Sequence, residues 1–395
     1  MKRYLIIGNG IAGMTAVENI RKLDKECAIT ILTEEPYPFY YRLRLNEYLA
    51  GDISADGIIG KNDEWYKSNN IEIHLNSKVI KGNVKEKVVT TEKGEDYNYD
   101  KLLLATGSHA FIPPIDGSEK DGVFTLRSLE DAKKIFSYGE KAEKVVVIGG
   151  GLLGLEAGNA LRKRGKKVTV VEFFPRLLPR QLDKAGGEQL RKIMEGLGFS
   201  LRLAAKTESI TGDKSAEGVR LGGGETLPAG MVIISAGVRA NLELAQLLSI
   251  ECDRGIKVDA NMKTNINDIY AAGDSTEFSG RSYGIWPAAV AQGKIAGENI
   301  AGIESLYEGT TMSNILKVAD VDLASVGEID ADDKLKSIVL SKDNIYKKVV
   351  TENDVIIGAI MLGDTKGYRK ISKAINDGNT VVTSRNLLIS EGFKI

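Results

Sequence analysis

The chain has 395 residues, 43% hydrophobic and 27% charged, with a net charge of −1, a globular composition long enough for two or three domains. That balance excludes a global field suited to nucleic acid or an anionic membrane surface, and no apolar run approaches the ~18–20 residues of a membrane helix. Two distant cysteines, Cys27 and Cys252, and two histidines, His74 and His109, leave no ligand set for an iron–sulfur cluster, a structural zinc or a disulfide framework.

The first elements alternate strand, helix, strand. RYLIIG is a short apolar run ending in glycine, and IAGMTAVENIRKL then sets Ile11, Met14, Val17 and Ile20 on one helical face. AITILTEE follows as a buried, β-branched strand. With functional glycines beginning at Gly8, no leader is expected, and a reducing cytoplasm is the expected setting. KLLLATGSHAFIPPIDG ends a strand at Ala105-Thr106-Gly107, with Pro113 and Pro114 reading as a crossover. The opening unit then recurs as EKVVVIGGG, LLGLEAGNALRKRG and KKVTVVEFFP. MVIISAGVRAN is the matching return, its strand ended by Gly237, and NDIYAAGDS leads into the helical PAAVAQGKIAGENIAG. Beyond Gly309, KSIVLS, YKKVV and VIIGAIML read as strands of a small α+β domain.

Gly8, Gly10 and Gly13, with Ile11 and Ala12 between them, lie between a strand and a helix, and Glu34 ends the next strand. This is a dinucleotide fingerprint: Gly8 for the tight turn, Gly10 for close approach of pyrophosphate, Gly13 for helix packing. The helix N-terminus favours the phosphates, and Glu34 would accept hydrogen bonds from ribose hydroxyls. Gly149, Gly151, Leu152, Leu153 and Gly154 repeat the pattern, with Glu172 closing the following strand. A carboxylate there suits the 2′-hydroxyl of NAD and repels the 2′-phosphate of NADP, a preference that Arg176 could soften. Two such sites imply two dinucleotides, a bound flavin and a nicotinamide that delivers hydride to it.

The ordered set GNGIAG, ATG, GGGLLGLE, SAG and YAAGD resembles the pyridine-nucleotide flavoprotein reductases over essentially the whole chain. The resemblance implies two doubly wound α/β domains, the second inserted in the first. An FAD domain is expected at 1–110 and 242–308, an NAD domain at 111–241 and a small C-terminal α+β domain at 309–395. It further implies that Asp274 meets the ribityl–phosphate region of FAD, the plainer alternative being a helix N-cap. The helix beginning at Pro287 would aim its positive end at the flavin's pyrimidine edge. Val79, Ala105, Thr106 and Gly107 would border FAD, Gly237 completes the cofactor-binding set, and Glu156 would lie near the nicotinamide–flavin stack.

Thiol-active relatives place a cysteine near YPFYYRLRLNEYL (Tyr37 to Leu49) or as a CxxxxC pair upstream, and disulfide reductases add a C-terminal His–Glu base. Here no cysteine falls between Cys27 and Cys252, and no histidine follows His109. YYRLRLNEYL and the tail segments ILKVADVDLASVGEI and GAIMLGDTKGYRK are similar to rubredoxin reductases and to the N-terminal reductase part of nitrite reductase large subunits. The implied function is hydride transfer from NADH to FAD, then single electrons to rubredoxin or a similar small iron protein. Arg42, Arg44 and Lys317 are the cations expected to favour an acidic carrier, each with a plain reading as an ordinary surface charge or an ion pair. Arg42 and Glu156 count among both the catalytic and the cofactor-binding candidates. Ferredoxin-reductase relatives carry a lysine where this chain has Glu47, so no Lys–Glu156 pair is expected there. Two alternatives stay open: an NADH oxidase that reduces oxygen, and an electron-entry subunit of a larger redox complex.

Overall fold

A computed structural model describes residues 1–310 and 313–394, the stretch 313–316 by its backbone alone. Two compact units are present. The first comprises Met1–Arg44, Ser54–His109 and Val238–Thr310; the second comprises Leu45–Ile53, Ala110–Gly237 and the described residues beyond 312.

The first unit is built on five parallel strands in the order Ile269–Ala271, Lys101–Leu104, Arg3–Ile7, Ala28–Leu32, Ile71–His74. Strands covered on both faces read as unbroken apolar runs, which is why Leu5, Ile6 and Ile7 are all buried. The helices Ile11–Leu23 and Trp286–Ala301 pack closely because the second carries glycine at the contact. A Cβ at Gly293 or Gly297 would stand 2.4 Å from the Ala12 carbonyl oxygen or 2.6 Å from that of Ala16.

The second unit holds a sheet of the same kind, ordered Ser200–Arg202, Lys167–Val171, Lys144–Ile148, Met231–Ile234, Val123–Phe124, again all parallel. In both sheets the strand that precedes the glycines is central, flanked by the next strand on one side and a later return strand on the other. Each glycine turn therefore sits at a topological switch point, where open α/β sheets bind ligands.

A C-terminal antiparallel sheet completes the second unit, ordered Ser313–Val318, Val321–Gly327, Val355–Leu362, Ile345–Glu352, Lys336–Lys342. Its period-2 alternation sorts side chains between two cores. Ala359 and Met361 join Ile371 of the helix Tyr368–Asn376 and Leu388 of the helix Arg385–Ser390. Ile360 and Leu362 face the other way and share a core with Leu177, Leu182 and Leu190 of the second dinucleotide fold. Among the described residues no helix is long and apolar enough to cross a membrane.

Candidate active site

Two glycines of the first turn answer to packing and one to open space. Gly8 has φ +111, and a Cβ there would stand 2.1 Å from the Ala105 carbonyl oxygen; one at Gly13 would stand 2.2 Å from the Gly8 oxygen. A Cβ at Gly10 would meet nothing within 4 Å. The helix Ile11–Leu23 has no side-chain cap at Gly10, so donors at its first turn remain for an anion. Asn9 accepts from the Tyr66 hydroxyl at 3.2 Å, and its Nδ2 is buried without a protein acceptor. Ile11 is half-buried and Ala12 buried at the helix start. Val79 belongs to the core, beside Leu32 and Val89. Glu34 faces solvent, 3.5 Å from Lys78. Its neighbour Glu35 turns inward and accepts from the Tyr40 hydroxyl at 2.5 Å and from the Arg42 guanidinium. Two acids in tandem leave the strand-end register open in the sequence, so Glu34 and Glu35 cannot be told apart there.

Arg42 is thus an ion-pair partner of Glu35 and lies 5.3 Å from the Tyr40 ring centroid. Arg44 donates to the Gly57 carbonyl at 2.8 Å. The Thr106 hydroxyl donates to the Asn241 carbonyl at 3.0 Å, the Asn241 amide returns a bond to the Thr106 carbonyl at 2.7 Å, and the Asn241 N–H meets the Gly107 carbonyl at 3.0 Å. Gly107 itself has φ +68. Asp274 accepts from the Ser108 hydroxyl at 3.1 Å. It does not cap the helix Trp286–Ala301, which carries Pro287 in its first turn and has no side-chain cap at Ile285. The turn ahead of Asp274 is held by Gln292, 1% exposed, whose Oε1 accepts the Gly273 N–H at 2.8 Å and the Thr276 hydroxyl at 2.9 Å. Of Ser108, Asn241 and Gln292, only the glutamine leaves a trace in the sequence, as the uncharged polar residue of the otherwise apolar AAVAQG.

The second turn repeats the first. A Cβ at Gly149 (φ +119) would stand 2.2 Å from the Ser235 carbonyl oxygen and one at Gly154 2.2 Å from the Gly149 oxygen, while Gly151 meets nothing within 4 Å. The helix Leu152–Lys163 has no side-chain cap; Leu152 packs against the core and Leu153 is exposed at its start. Glu172 is buried, and its carboxylate accepts the N–H of Gly150 at 2.5 Å and of Phe174 at 2.8 Å. Arg176 is committed to its own loop: it donates to the Leu182 carbonyl at 3.1 Å and the Pro179 carbonyl at 3.4 Å. A cavity of about 270 Å³ beside it is lined by Pro175, Arg176, Lys184, Gly187, Glu188 and Leu203; none of the turn glycines lines it. Gly237 (φ +103) lies three residues beyond the return strand Met231–Ile234, not at its end, and accepts from the Phe111 N–H at 2.9 Å.

Glu156, on the helix Leu152–Lys163, accepts the Ala319 N–H at 3.0 Å. Ala319 and Asp320, with φ +48 and +69, form the tight turn between the strands Ser313–Val318 and Val321–Gly327, and Lys163 pairs with Asp320 at 3.2 Å. Burial pushes the Glu156 carboxyl above its ordinary range, assisted by Asp320 and opposed by the Ala319 bond, Lys163 and the exposed Lys317. Burial also raises both thiols, Cys27 and Cys252, which are unbridged, so neither is poised as a thiolate nucleophile. Among the described residues no cluster of acids, histidines and cysteines could hold a metal.

Both turns thus fit a dinucleotide: uncapped helix N-termini, open space over the middle glycine, an acid at the end of the following strand, and at the first turn a buried amide donor awaiting an acceptor. The pattern of the family described as pyridine nucleotide-disulphide oxidoreductase matches residues 2–293. The chain belongs to this family. Residues 313–379 match the rubredoxin NAD+ reductase C-terminal domain. The chain is 37% identical over 389 residues to a nitrite reductase [NAD(P)H] of Bacillus subtilis, covering 97% of this chain and 48% of that protein. It is 38% identical over 400 residues to an NADH oxidase of Methanocaldococcus jannaschii, covering 93% and 89%. The crystal structure of NADH:rubredoxin oxidoreductase from Clostridium acetobutylicum superposes with a TM-score of 0.84 at 30% identity, covering 98% and 99%. The chain spans about half the length of several curated relatives it matches.

Proposed function

We propose that this protein is an FAD-dependent NADH oxidoreductase that passes electrons to a small one-electron carrier of the rubredoxin type. The observation that carries the reading is the pair of like-built dinucleotide turns in a chain whose two thiols are both raised by burial. The first unit, with the glycines at 8–13, takes FAD; the second, with those at 149–154, takes NADH. FAD, when bound, supplies the two-electron to one-electron conversion that joins a hydride donor to a one-electron acceptor.

The protein's part is binding and electrostatics. Backbone amides at the two helix starts receive the pyrophosphates. Glu172, held by two backbone N–H groups, presents its carboxylate to the adenosine ribose of NADH. With Arg176 tied to its own loop, its guanidinium is not offered to a 2′-phosphate, and the Glu172 carboxylate favours NADH over NADPH. Ser108 orients Asp274, and the uncapped start of the helix at Trp286 favours negative charge developing on the flavin. Arg42, paired with Glu35, and Arg44 place positive charge on the FAD-binding unit toward an acidic carrier, and Lys317 is an exposed cation of the second unit. A cytoplasmic setting belongs to this reading and agrees with two unbridged cysteines.

The half-length match to longer nitrite reductases favours a second reading, an electron-entry module working for a further redox centre. Anaerobic stopped-flow decides. The flavin-loaded protein is reduced with NADH and mixed with oxidised rubredoxin or with oxygenated buffer. Fast reoxidation by rubredoxin, slowed by salt and by Arg44→Glu, is expected. Reoxidation by oxygen alone would make the protein an oxidase, and failure with both would favour the entry module.

A further inference from the structure

The C-terminal sheet sends two polar side chains into the second dinucleotide fold. Lys348, in the strand Ile345–Glu352, is 0% exposed, and its ammonium lies 3.0 Å from Asp183, 2.8 Å from Asp333 and 3.7 Å from Asp330. Burial pushes the Lys348 ammonium down, but its bonds to Asp333 and Asp183 outweigh that and hold it charged. Asp183, 1% exposed, also accepts the Tyr346 hydroxyl at 2.5 Å and caps the helix Lys184–Gly196 through the Gly186 N–H at 2.9 Å. A buried ionic cluster is rarely the most stabilising way to fill such a space; apolar side chains often do as well. Its value lies in fixing one geometry.

What it fixes is the 173–183 segment. That segment leaves Glu172, is braced internally by Arg176, and meets the glycine turn directly. The Leu178 N–H donates to the Gly150 carbonyl at 3.0 Å, and the Leu177 side chain lies 2.8 Å from where a Gly150 Cβ would be. An unbroken set of contacts therefore runs from the C-terminal sheet through Asp183 and the Leu182 carbonyl to the turn at Gly150.

We propose that Lys348, Tyr346 and Asp183 are positioning residues, through which the C-terminal sheet holds the 173–183 segment and the 149–154 turn in register for the pyrophosphate of a pyridine dinucleotide. The inference rests on the reading of that turn as the NADH site. The test measures binding of ADP-ribose by calorimetry to the flavin-loaded protein, with thermal unfolding alongside. Tyr346→Phe, nearly isosteric, is expected to weaken ADP-ribose binding at least fivefold, and Lys348→Met more. Leu388→Ala, which opens the opposite face of the same sheet, is expected to lower the unfolding midpoint as much without weakening ADP-ribose. Should Lys348→Met fail to fold, Tyr346→Phe against Leu388→Ala decides alone. An affinity within twofold of the parent for Tyr346→Phe, or an equal loss for Leu388→Ala, overturns the proposal. A parent protein that does not bind ADP-ribose at all overturns the nucleotide reading itself, and the positioning role with it.

Discussion

Adding one methyl group at Gly151 and one at Gly154 should have opposite consequences, although the two glycines are three residues apart in the same turn. At Gly154 the new Cβ would stand 2.2 Å from the Gly149 carbonyl oxygen. Ordinary contact begins near 3.4 Å, so helix and strand end must separate by about 1.2 Å, and overpacking of that kind costs about 1–3 kcal/mol. At Gly151 the backbone is extended (φ −79, ψ 176) and nothing lies within 4 Å. The fold therefore tolerates alanine there to within about 0.5 kcal/mol, loss of chain entropy and a poorer cap nearly cancelling. The methyl would instead occupy the space over the turn that the pyrophosphate needs. The assay is urea unfolding together with ADP-ribose calorimetry on the flavin-loaded protein. Gly151→Ala should keep its unfolding midpoint and bind ADP-ribose at least tenfold more weakly, about 1.4 kcal/mol; Gly154→Ala should lose stability first. A Gly151→Ala protein that bound ADP-ribose as the parent does would refute the placement of the phosphates over this turn.

Three further outcomes are expected. Glu35→Gln should weaken FAD retention in dialysis more than Glu34→Gln, because Glu35 is held inward by Tyr40 and Arg42 while Glu34 lies in solvent beside Lys78. Gln292→Leu leaves the Gly273 N–H without its acceptor and the Thr276 hydroxyl with the Gly273 carbonyl alone, and should cost roughly 1–3 kcal/mol in chemical unfolding; an unchanged midpoint would count against the Gln292–Gly273 bond. For Glu156, burial raises the folded carboxyl above its ordinary value near 4.5. The stability this contributes is full below that value and is lost as pH rises through the folded value, so Glu156→Gln should gain on the parent in melting temperature as pH rises above 4.5. A difference that stayed flat across that range would show the carboxyl to be unperturbed.

The two dinucleotide turns, the acids that end the next strands and the scarcity of sulfur and histidine are all legible in the residues themselves. Those signals are local: strand, turn and helix follow within about thirty residues, and glycine spacing reports backbone conformation and close approach directly. The C-terminal strands KSIVLS, YKKVV and VIIGAIML are legible as short runs rich in apolar and β-branched residues. Tertiary structure alone decided which acid turns inward, because Glu34 and Glu35 differ only in what their side chains meet. It alone seated Glu156 on the Ala319 N–H, 163 residues away, and clasped Thr106 with Asn241 across 135 residues. The burial of Lys348 against Asp183 was equally invisible: within YKKVV it reads as one of two charges on a short strand. Such pairings depend on which distant segments pack together, and side-chain burial, which gives each contact its energy, exists only once the chain has folded.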